Sequence, residues 1–212
     1  GGVIACNYKM NKKVAKEVSK NFLEIILSKG FDKDALKILK KRKNLRIIDV
    51  SKFKNKNSMS VKFFDGSFLI QDKNNKIVKK EEFNCVTKLK PKRKDLAEIE
   101  FAFNISKYVK SNAIILCNDF STIGIGGGQP SRIDSCKIAI QKAKKFQLNK
   151  IKNSIAASDA FFPFPDGLEL LVKAGVKTVI QPGGSIKDKE IVDYANKAKI
   201  KMLFTGIRHF YH

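Results

Sequence analysis

SNAIILCNDFSTIGIGGGQPSR, residues 111–132, is the stretch that decides the fold of this protein. An apolar strand over 113–117 leads through a turn to a second strand over 122–125. A glycine-rich segment then enters a helix predicted over 131–146, with apolar residues on one face. Strand and helix patterns also alternate on both sides of this stretch, so the sequence predicts an α/β fold.

Hydrophobic periodicity predicts the other elements as well. Before the stretch we predict a strand over 3–6, helices over 11–27, 34–41 and 95–110, a strand over 45–50, a polar linker over 51–60 and a hairpin over 61–71. After it we predict strands over 154–157, 176–181 and 202–205 and helices over 166–174 and 187–199. The long helix over 11–27 rests on the four-residue spacing of Val14, Val18 and Phe22.

The formal net charge of +23 raises the question of nucleic-acid binding. Only five of the 43 basic residues are Arg, the residue that reads base edges through paired hydrogen bonds. The lysines are spread along the chain, which indicates solvated faces. A Lys-rich nucleic-acid-binding α/β module is therefore the alternative, and no specific nucleic-acid partner is expected. No apolar run approaches the roughly 18 residues that a membrane span requires, so we expect no membrane partner.

The cysteines and the opening residues indicate the cellular context. Cys6, Cys85, Cys117 and Cys136 are far apart and form no CxxC pair, so we expect small buried thiols in a reducing cytoplasm. The chain opens on Gly1-Gly2-Val3-Ile4-Ala5, which is typical of the middle of a strand and not of a signal peptide. We therefore expect it to be part of a longer protein.

The glycine-rich segment TIGIGGGQPSR is the first of four segments with chemical potential. Gly124, Gly126, Gly127 and Gly128 permit positive φ and close backbone approach, and Ser131 with Asp134 fits a loose capping box. A helix N-terminus at this point would attract anions. The glycine spacing fits neither a dinucleotide fingerprint nor a Walker motif. A ligand loop and a tight structural turn both remain open, and so does an unrelated nucleotide-binding α/β enzyme.

The other three segments follow later strands. SDAFFPFPD places three phenylalanines between Asp159 and Asp166, which indicates either a core plug or a stacking wall with a carboxylate for a ring ligand. QPGGSIKD is a glycine turn entering a helix, with a second capping box from Ser185 to Asp188 predicted. TGIRHFYH ends the chain with both histidines beside Arg208, and its aromatic content favours docking over a frayed tail.

These sequence segments together resemble those of the AICAR transformylase family. SNAI, TIGIGGGQPSRI, SDAFFPFPDG, QPGGSIKD and FTGIRHFYH are similar to successive blocks of that domain, and GGVIACN resembles an earlier block. The resemblance covers essentially the whole chain, although residues 28–95 match only loosely.

The resemblance implies a fold and an activity. The family transfers a formyl group from 10-formyltetrahydrofolate to the 5-amino group of AICAR (aminoimidazole carboxamide ribonucleotide) in purine biosynthesis. It acts without metal, as a cytoplasmic homodimer with shared sites, on two cytidine-deaminase-like three-layer α/β subdomains. Residues 1–60 would then be the end of the first subdomain and residues 61–212 the second. The chain lacks the HxE and PCxxC zinc ligands of true deaminases.

Site residues follow from the same resemblance, position by position. Those expected at AICAR are Asn112, Arg132, Phe161 and Arg208, with Gly1 and Glu24 from the first subdomain. Those expected at the folate are Ile133, Asp166, Ser185 and Ile186. His212 matches the terminal histidine of the family.

The chain departs from the family pattern in two ways. Pro165 stands where the family often has Arg, which affects any charge pairing at that corner. The general base of the family is the His of a Lys-His pair upstream of the GG-x-I-A strand, and no such pair occurs here. We therefore expect a fragment without catalytic residues and with little formyl transfer by itself. The cyclohydrolase activity belongs to a region outside this sequence.

Overall fold

The structure, a computed structural model, describes residues 1–54 and 59–211. The chain divides into two compact units, Gly1–Asp72 and Lys73–His212. Both contain helices and sheets, which confirms the α/β class; the six α-helices of the described residues include none long and apolar enough to cross a membrane. The predicted boundary between family subdomains after residue 60 stays a prediction, and residues 55–58 of the predicted linker at 51–60 lie outside the described residues.

The first unit contains a three-stranded parallel sheet in the order β1-β2-β3, followed by an antiparallel hairpin. Its elements are β1 Val3–Cys6, α1 Lys12–Val18, β2 Ile25–Ser28, α2 Lys33–Leu39, β3 Arg46–Asp49, β4 Met59–Phe64 and β5 Ser67–Asp72. Buried Ala15, Ile26 and Leu39 belong to its core. The hairpin turns at Asp65 and Gly66, both with positive φ, as the sequence predicts.

The long helix predicted over 11–27 is wrong in its second half. Helix α1 ends at Val18, and Ile25–Ser28 forms the central strand of the sheet. Phe22, which continues the four-residue spacing, is 76% exposed. The apolar run at the end of this segment is short and rich in isoleucine, and pairing with β1 and β3 on both sides outweighs its weak helical periodicity.

The second unit is built on one six-stranded sheet in the order β6-β11-β10-β9-β7-β8. Strands β9, β10 and β11 are parallel, whereas β7 is antiparallel to both β8 and β9. The elements are β6 Asn84–Cys85, α3 Leu96–Ser106, β7 Ile114–Asn118, β8 Ser121–Gly126, α4 Arg132–Gln147, β9 Ile155–Ser158, α5 Pro165–Ala174, β10 Thr178–Gln181, α6 Asp188–Lys197 and β11 Lys201–Phe204. Of these strands and α-helices the prediction missed only β6, because a two-residue strand carries no periodicity.

Alternating side chains of β7 separate the core of this unit into two layers. Ile114 and Leu116 pack with residues of α4, α5 and α6, whereas Ile115 and Cys117 pack with Phe103 of α3. This is the two-residue period of a strand that is covered on both faces. The sheet therefore lies between α3 on one side and the other three helices on the other.

Two glycines of the TIGIGGG segment serve packing within this unit. A Cβ on Gly124 would collide with the Ala139 carbonyl oxygen, and a Cβ on Gly126 would collide with the Ser135 carbonyl oxygen. Helix α4 thus lies directly against β8. Gly124 and Gly126 thus show the close backbone approach expected of the segment, whereas only Gly128 of its four glycines, with φ 67°, adopts a positive φ.

All four cysteines are free thiols, but the predicted burial holds only for Cys117 and Cys136, because Cys6 and Cys85 are partly exposed. Cys117 and Cys136 are buried, and desolvation raises the pKa of each to about 12. Both thiols therefore behave as small apolar side chains at neutral pH.

Candidate functional site

Arg132, the first residue of α4, is at the centre of a buried polar network. Its Nη1 donates to Asp159 Oδ1 at 2.5 Å and to Ser158 Oγ at 2.9 Å. Its Nη2 donates to Asn112 Oδ1 at 2.7 Å. The guanidinium is 8% exposed and the carboxylate 0%, so the two opposite charges compensate each other away from water.

Asn112 is oriented by the turn that precedes α4. Its Nδ2 donates to the carbonyl oxygens of Gln129 and Pro130 at 3.0 and 3.1 Å, and its backbone oxygen accepts from Ser135 Oγ at 2.7 Å. These bonds leave Oδ1 as the acceptor that faces Arg132. The amide is therefore held in one orientation, with a lone pair of Oδ1 still available.

The phenylalanine segment contributes both core and cavity wall. Phe162 is buried, and its backbone N–H donates to the Oε1 of buried Gln181 at 2.8 Å. Phe161 and Phe164 are not buried, and Phe164 is 51% exposed. The core-plug interpretation is therefore correct for Phe162, whereas the stacking wall for a ring ligand at Phe161 and Phe164 stays a prediction.

Arg208 has the opposite surroundings to Arg132. Its guanidinium carbon lies 4.9 Å from the ring centroid of Phe161 and 6.0 Å from that of Phe210. The side chain is exposed, and no carboxylate of residues 1–54 or 59–211 forms an ion pair with it. Arg208 therefore presents a positive charge that no acidic side chain compensates.

These side chains share one open cavity of about 580 Å³ in the second unit. The residues that line it are Asn112, Pro130, Ser131, Arg132, Ile133, Ala160, Phe161, Phe162, Pro163, Phe164, Asp166, Gly167, Arg208 and Phe210. Six of the ten residues predicted for binding are among them: Asn112, Arg132, Ile133, Phe161, Asp166 and Arg208. The structure thus brings three of the four chemical segments together in one place.

The other predicted residues lie elsewhere. Ile186 is fully exposed and lines a separate groove with Pro165 and Lys187, while Ser185 Oγ accepts from the Lys187 backbone N–H at 3.1 Å. Gly1 and Glu24 belong to the first unit, where the Gly1 amino nitrogen lies 3.2 Å from Glu24 Oε2. The binding roles of these four residues stay predictions.

Neither predicted capping box forms. Ser131 is the N-cap of α4, but its side chain makes no capping hydrogen bond. Helix α6 begins only at Asp188, whose Oδ2 accepts from the Gly184 N–H at 2.7 Å. The positive φ of Gly183 and Gly184 carries the chain through this turn, so Ser185 lies too early to cap the helix.

Asp159 is the second correction at the site. The sequence leaves it open as a carboxylate for a ring ligand, but it is fully buried and bonded to Arg132 and Ser111. Ser158 was missed as a member of the network; its Oγ donates to the Ala160 carbonyl oxygen at 2.7 Å. Two polar residues at the end of an otherwise apolar strand are the signal that could have identified the pair.

The C-terminal segment docks into the fold, as expected. The backbone N–H of His209 donates to the Asp159 carbonyl oxygen at 3.0 Å, and Tyr211 exchanges backbone and side-chain bonds with Ser111. This anchoring places Arg208 at the cavity. His212 lies outside the described residues.

A family model described as "AICARFT/IMPCHase bienzyme" matches residues 1–142. The chain belongs to this bienzyme family. It is 42% identical over its whole length to the "Bifunctional purine biosynthesis protein PurH" of Aquifex aeolicus, and 45% identical to the protein of the same name from Caldicellulosiruptor saccharolyticus. It spans 41% and 40% of those two proteins.

One solved structure with some similarity to the chain adds nothing to this assignment. A deaminase/reductase structure from Thermotoga maritima matches 51% of this chain and 35% of its own, at 17% identity and a TM-score of 0.36. A match at that level carries no argument about the fold. The family assignment therefore depends on the family model and on the relatives.

His209 of this bienzyme-family chain lies beside the cavity without lining it. It is fully buried, its ring centroid is 4.9 Å from that of Phe103, and its Nδ1 lies 2.9 Å from Asn74 Nδ2. Desolvation, with the charge of Lys107, lowers its pKa from 6.5 to about 4 although Asp159 acts in the opposite direction. His209 is therefore neutral at pH 7.

Among the described residues, no group of three or more His, Cys, Asp or Glu could hold a metal ion.

Proposed function

We propose that this chain forms part of the site at which a formyl group passes from 10-formyltetrahydrofolate to the 5-amino group of AICAR. Membership of the bienzyme family and the relatives named as bifunctional purine biosynthesis proteins support this proposal. Neither distinguishes the transferase from the cyclohydrolase activity, so the choice depends on the cavity. The step belongs to purine biosynthesis.

The observation that carries the proposal is the polarity of the cavity. Arg132 is compensated by Asp159, so it offers hydrogen bonds with little net charge, whereas Arg208 offers an uncompensated charge. A nucleotide has a neutral base at one end and a phosphate at the other. AICAR fits when its carboxamide lies at Asn112 and Arg132, its phosphate at Arg208 and its ring against Phe161.

The folate is proposed to lie across the start of α5. Ile133 and Asp166 line the cavity, and the adjacent Pro165 and Ile186 line a neighbouring groove of about 610 Å³. Asp166 is exposed, and its carboxylate suits the amino-substituted ring of a pterin. Ser185 would contribute from the turn before α6. Pro165 can donate no hydrogen bond here, so the charge pairing of the family would be absent at this corner.

The chemistry requires a general base, and no histidine among the described residues lines the cavity. The 5-amino group is a weak nucleophile because its lone pair is delocalised, and general-base help typically contributes about 10²–10⁴-fold. The only described histidine, His209, is buried and neutral and does not line the cavity, and the 212 residues include no Lys-His pair. We therefore propose that the chain binds its substrates but transfers little formyl group alone.

The wider assembly is proposed from the same family resemblance. Residues 61–212 would form a cytidine-deaminase-like subdomain and residues 1–60 the end of its counterpart, with Gly1 and Glu24 contacting AICAR. The protein would act without metal in the cytoplasm as a homodimer whose sites combine both chains. Analytical ultracentrifugation tests the homodimer, because a monomer at all concentrations with intact ligand binding would contradict it.

Ligand-induced stabilisation tests the proposed function. We expect AICAR and a folate analogue each to raise the melting temperature. At a hundredfold excess of ligand over Kd, the free energy of unfolding should increase by about 2.7 kcal/mol. Arg208→Ala should reduce the AICAR effect, and Arg93→Ala, on an exposed arginine outside the cavity, should not. Stabilisation by an oligonucleotide alone, with steep salt dependence, would support the nucleic-acid module instead.

A further inference from the structure

Asp159 uses its two carboxylate oxygens for two different parts of the cavity. Oδ1 accepts from Arg132 Nη1 at 2.5 Å, and Oδ2 accepts from Ser111 Oγ at 2.6 Å. The carboxylate is 0% exposed. Water cannot replace a lost partner at this depth. Removal of either hydrogen bond therefore leaves a buried carboxylate oxygen without a donor, at a cost in stability.

Ser111 continues the connection to the C-terminal segment. Its Oγ accepts from the backbone N–H of Tyr211 at 3.1 Å, while its own N–H donates to the Tyr211 carbonyl oxygen at 2.9 Å. Directly after Arg208, the His209 N–H donates to the carbonyl oxygen of Asp159 itself at 3.0 Å. The backbone that follows Arg208 is thus fixed at two points, and both lead back to Asp159.

We propose that Asp159 is a positioning residue that sets both arginines of the cavity, Arg132 directly and Arg208 through Ser111 and the C-terminal segment. Residue 159 does not line the cavity, so it acts on a ligand only through these two. The ligand consequences depend on the proposed function, because they assume a base at Arg132 and a phosphate at Arg208. The mechanical coupling does not depend on it.

Each half of the connection can be cut separately. Ser111→Ala removes the hydroxyl that joins Asp159 Oδ2 to Tyr211 and leaves the Arg132 pair intact. Asp159→Asn keeps the side-chain shape but removes the charge that holds Arg132 and one acceptor. Ser154→Ala, on a buried hydroxyl without a partner among the described residues, and Asp95→Asn, on the Lys201 ion pair, are the matched controls.

The binding experiment compares AICAR with its riboside, which lacks the phosphate, by titration calorimetry on the whole chain. For Ser111→Ala we expect the ratio of riboside Kd to AICAR Kd to fall about five- to tenfold, while the riboside Kd stays unchanged. The reason is the loss of the Ser111 Oγ hydrogen bonds to Asp159 and Tyr211, which fix the segment that follows Arg208. For Asp159→Asn we expect the Kd of both ligands to increase. The double variant should bind no worse than Asp159→Asn, because the two changes cut the same connection.

A ligand-independent measurement separates this inference from the proposed function. We expect the amide hydrogens of His209 and Tyr211 to exchange at least tenfold faster in Ser111→Ala and Asp159→Asn than in the wild type or the two controls. If the wild type binds neither ligand, the proposed function fails while the exchange result still decides the coupling.

Two outcomes overturn the inference. One is wild-type exchange at residues 209–211 in both variants while they remain folded by circular dichroism. The other is an equal loss of affinity for both ligands in Ser111→Ala that merely follows its loss of melting temperature, because that is the behaviour of a purely structural contact.

Discussion

The two arginines of the cavity show how one residue type serves two purposes. Arg132 begins a helix, is almost fully buried, and has its charge compensated by Asp159. Arg208 lies on an irregular segment, is exposed, and lies near the rings of Phe161 and Phe210, with no acidic partner in the described part of the chain. The difference teaches that the partners of a guanidinium, more than its identity, decide whether it offers hydrogen-bond geometry or charge.

The comparison predicts its largest effect at the buried arginine. Arg132→Ala leaves Asp159 buried without its counter-charge, so we expect a loss of about 3–5 kcal/mol in the free energy of unfolding, measured by urea denaturation. The double variant Arg132→Met with Asp159→Asn should recover part of this loss, because no unpaired charge remains. A single variant as stable as the wild type would mean that Arg132 is not the buried partner of Asp159.

A second test concerns the residue that anchors Arg208 from the buried side. The pKa of His209 is lowered from 6.5 to about 4, so the unfolded chain takes up this proton before the folded chain does. Stability should therefore decrease as the pH falls from about 6.5 to 4, by at most about 3 kcal/mol at 1.36 kcal/mol per pKa unit.

The control for this pH dependence is His209→Phe, whose ring can pack against Phe103 without titrating. The stability difference between the wild type and this variant, from denaturation at several pH values, should shift in favour of the variant below pH 6.5. A constant difference from pH 7 to 4.5 would show that the histidine is accessible to water in the folded chain.

The exposed arginine should affect binding and leave stability almost unchanged. Arg208→Ala should change the free energy of unfolding by no more than about 0.5 kcal/mol, as expected for a surface position. It should weaken AICAR by about ten- to a hundredfold, because hydrogen bonds to charged groups contribute about 1.5–3 kcal/mol. Calorimetry with AICAR and the riboside checks this, and an equal loss for both ligands would place the phosphate elsewhere.

The smallest expected effect refines the description of Arg208. Phe161→Leu removes the ring face below the guanidinium, a contact that contributes about 0.5–1 kcal/mol at an exposed site. We expect AICAR affinity to fall by at least two- to fivefold, as roughly that energy implies, because Leu also weakens the proposed contact with the AICAR ring. Phe146→Leu, on an exposed ring beside Lys145 and outside the cavity, is the control and should leave binding unchanged. Binding as strong as that of the wild type would show that Phe161 does not orient Arg208.

Much of the second unit could be predicted from sequence because its elements are regular. The strand at Ile114–Asn118 and the helix at Arg132–Gln147 differ from their predicted bounds by one residue at each end. The helix predicted over 11–27 failed because a four-residue spacing can continue by chance across a turn, as it does at Phe22. Only the neighbouring strands show that Ile25–Ser28 is a strand.

The candidate site was predictable in part for a different reason. Three residues of segments that match the family line the cavity: Asn112, Phe161 and Arg208. Ile186 lies in a segment that is matched equally well, yet beyond the turn at Gly183 and Gly184 it lines another groove. A sequence segment that matches the family identifies a residue but does not determine where its side chain points.

The sequence alone determined the α/β class, the order of nearly all strands and helices, and the family. Those properties depend on local periodicity and on the identity of consecutive residues. Only the tertiary structure decided that Asp159 neutralises Arg132 while Arg208 keeps its charge. Burial and the approach of residues 27 or more positions apart set the electrostatic state of a side chain, and neither is encoded in its immediate neighbours.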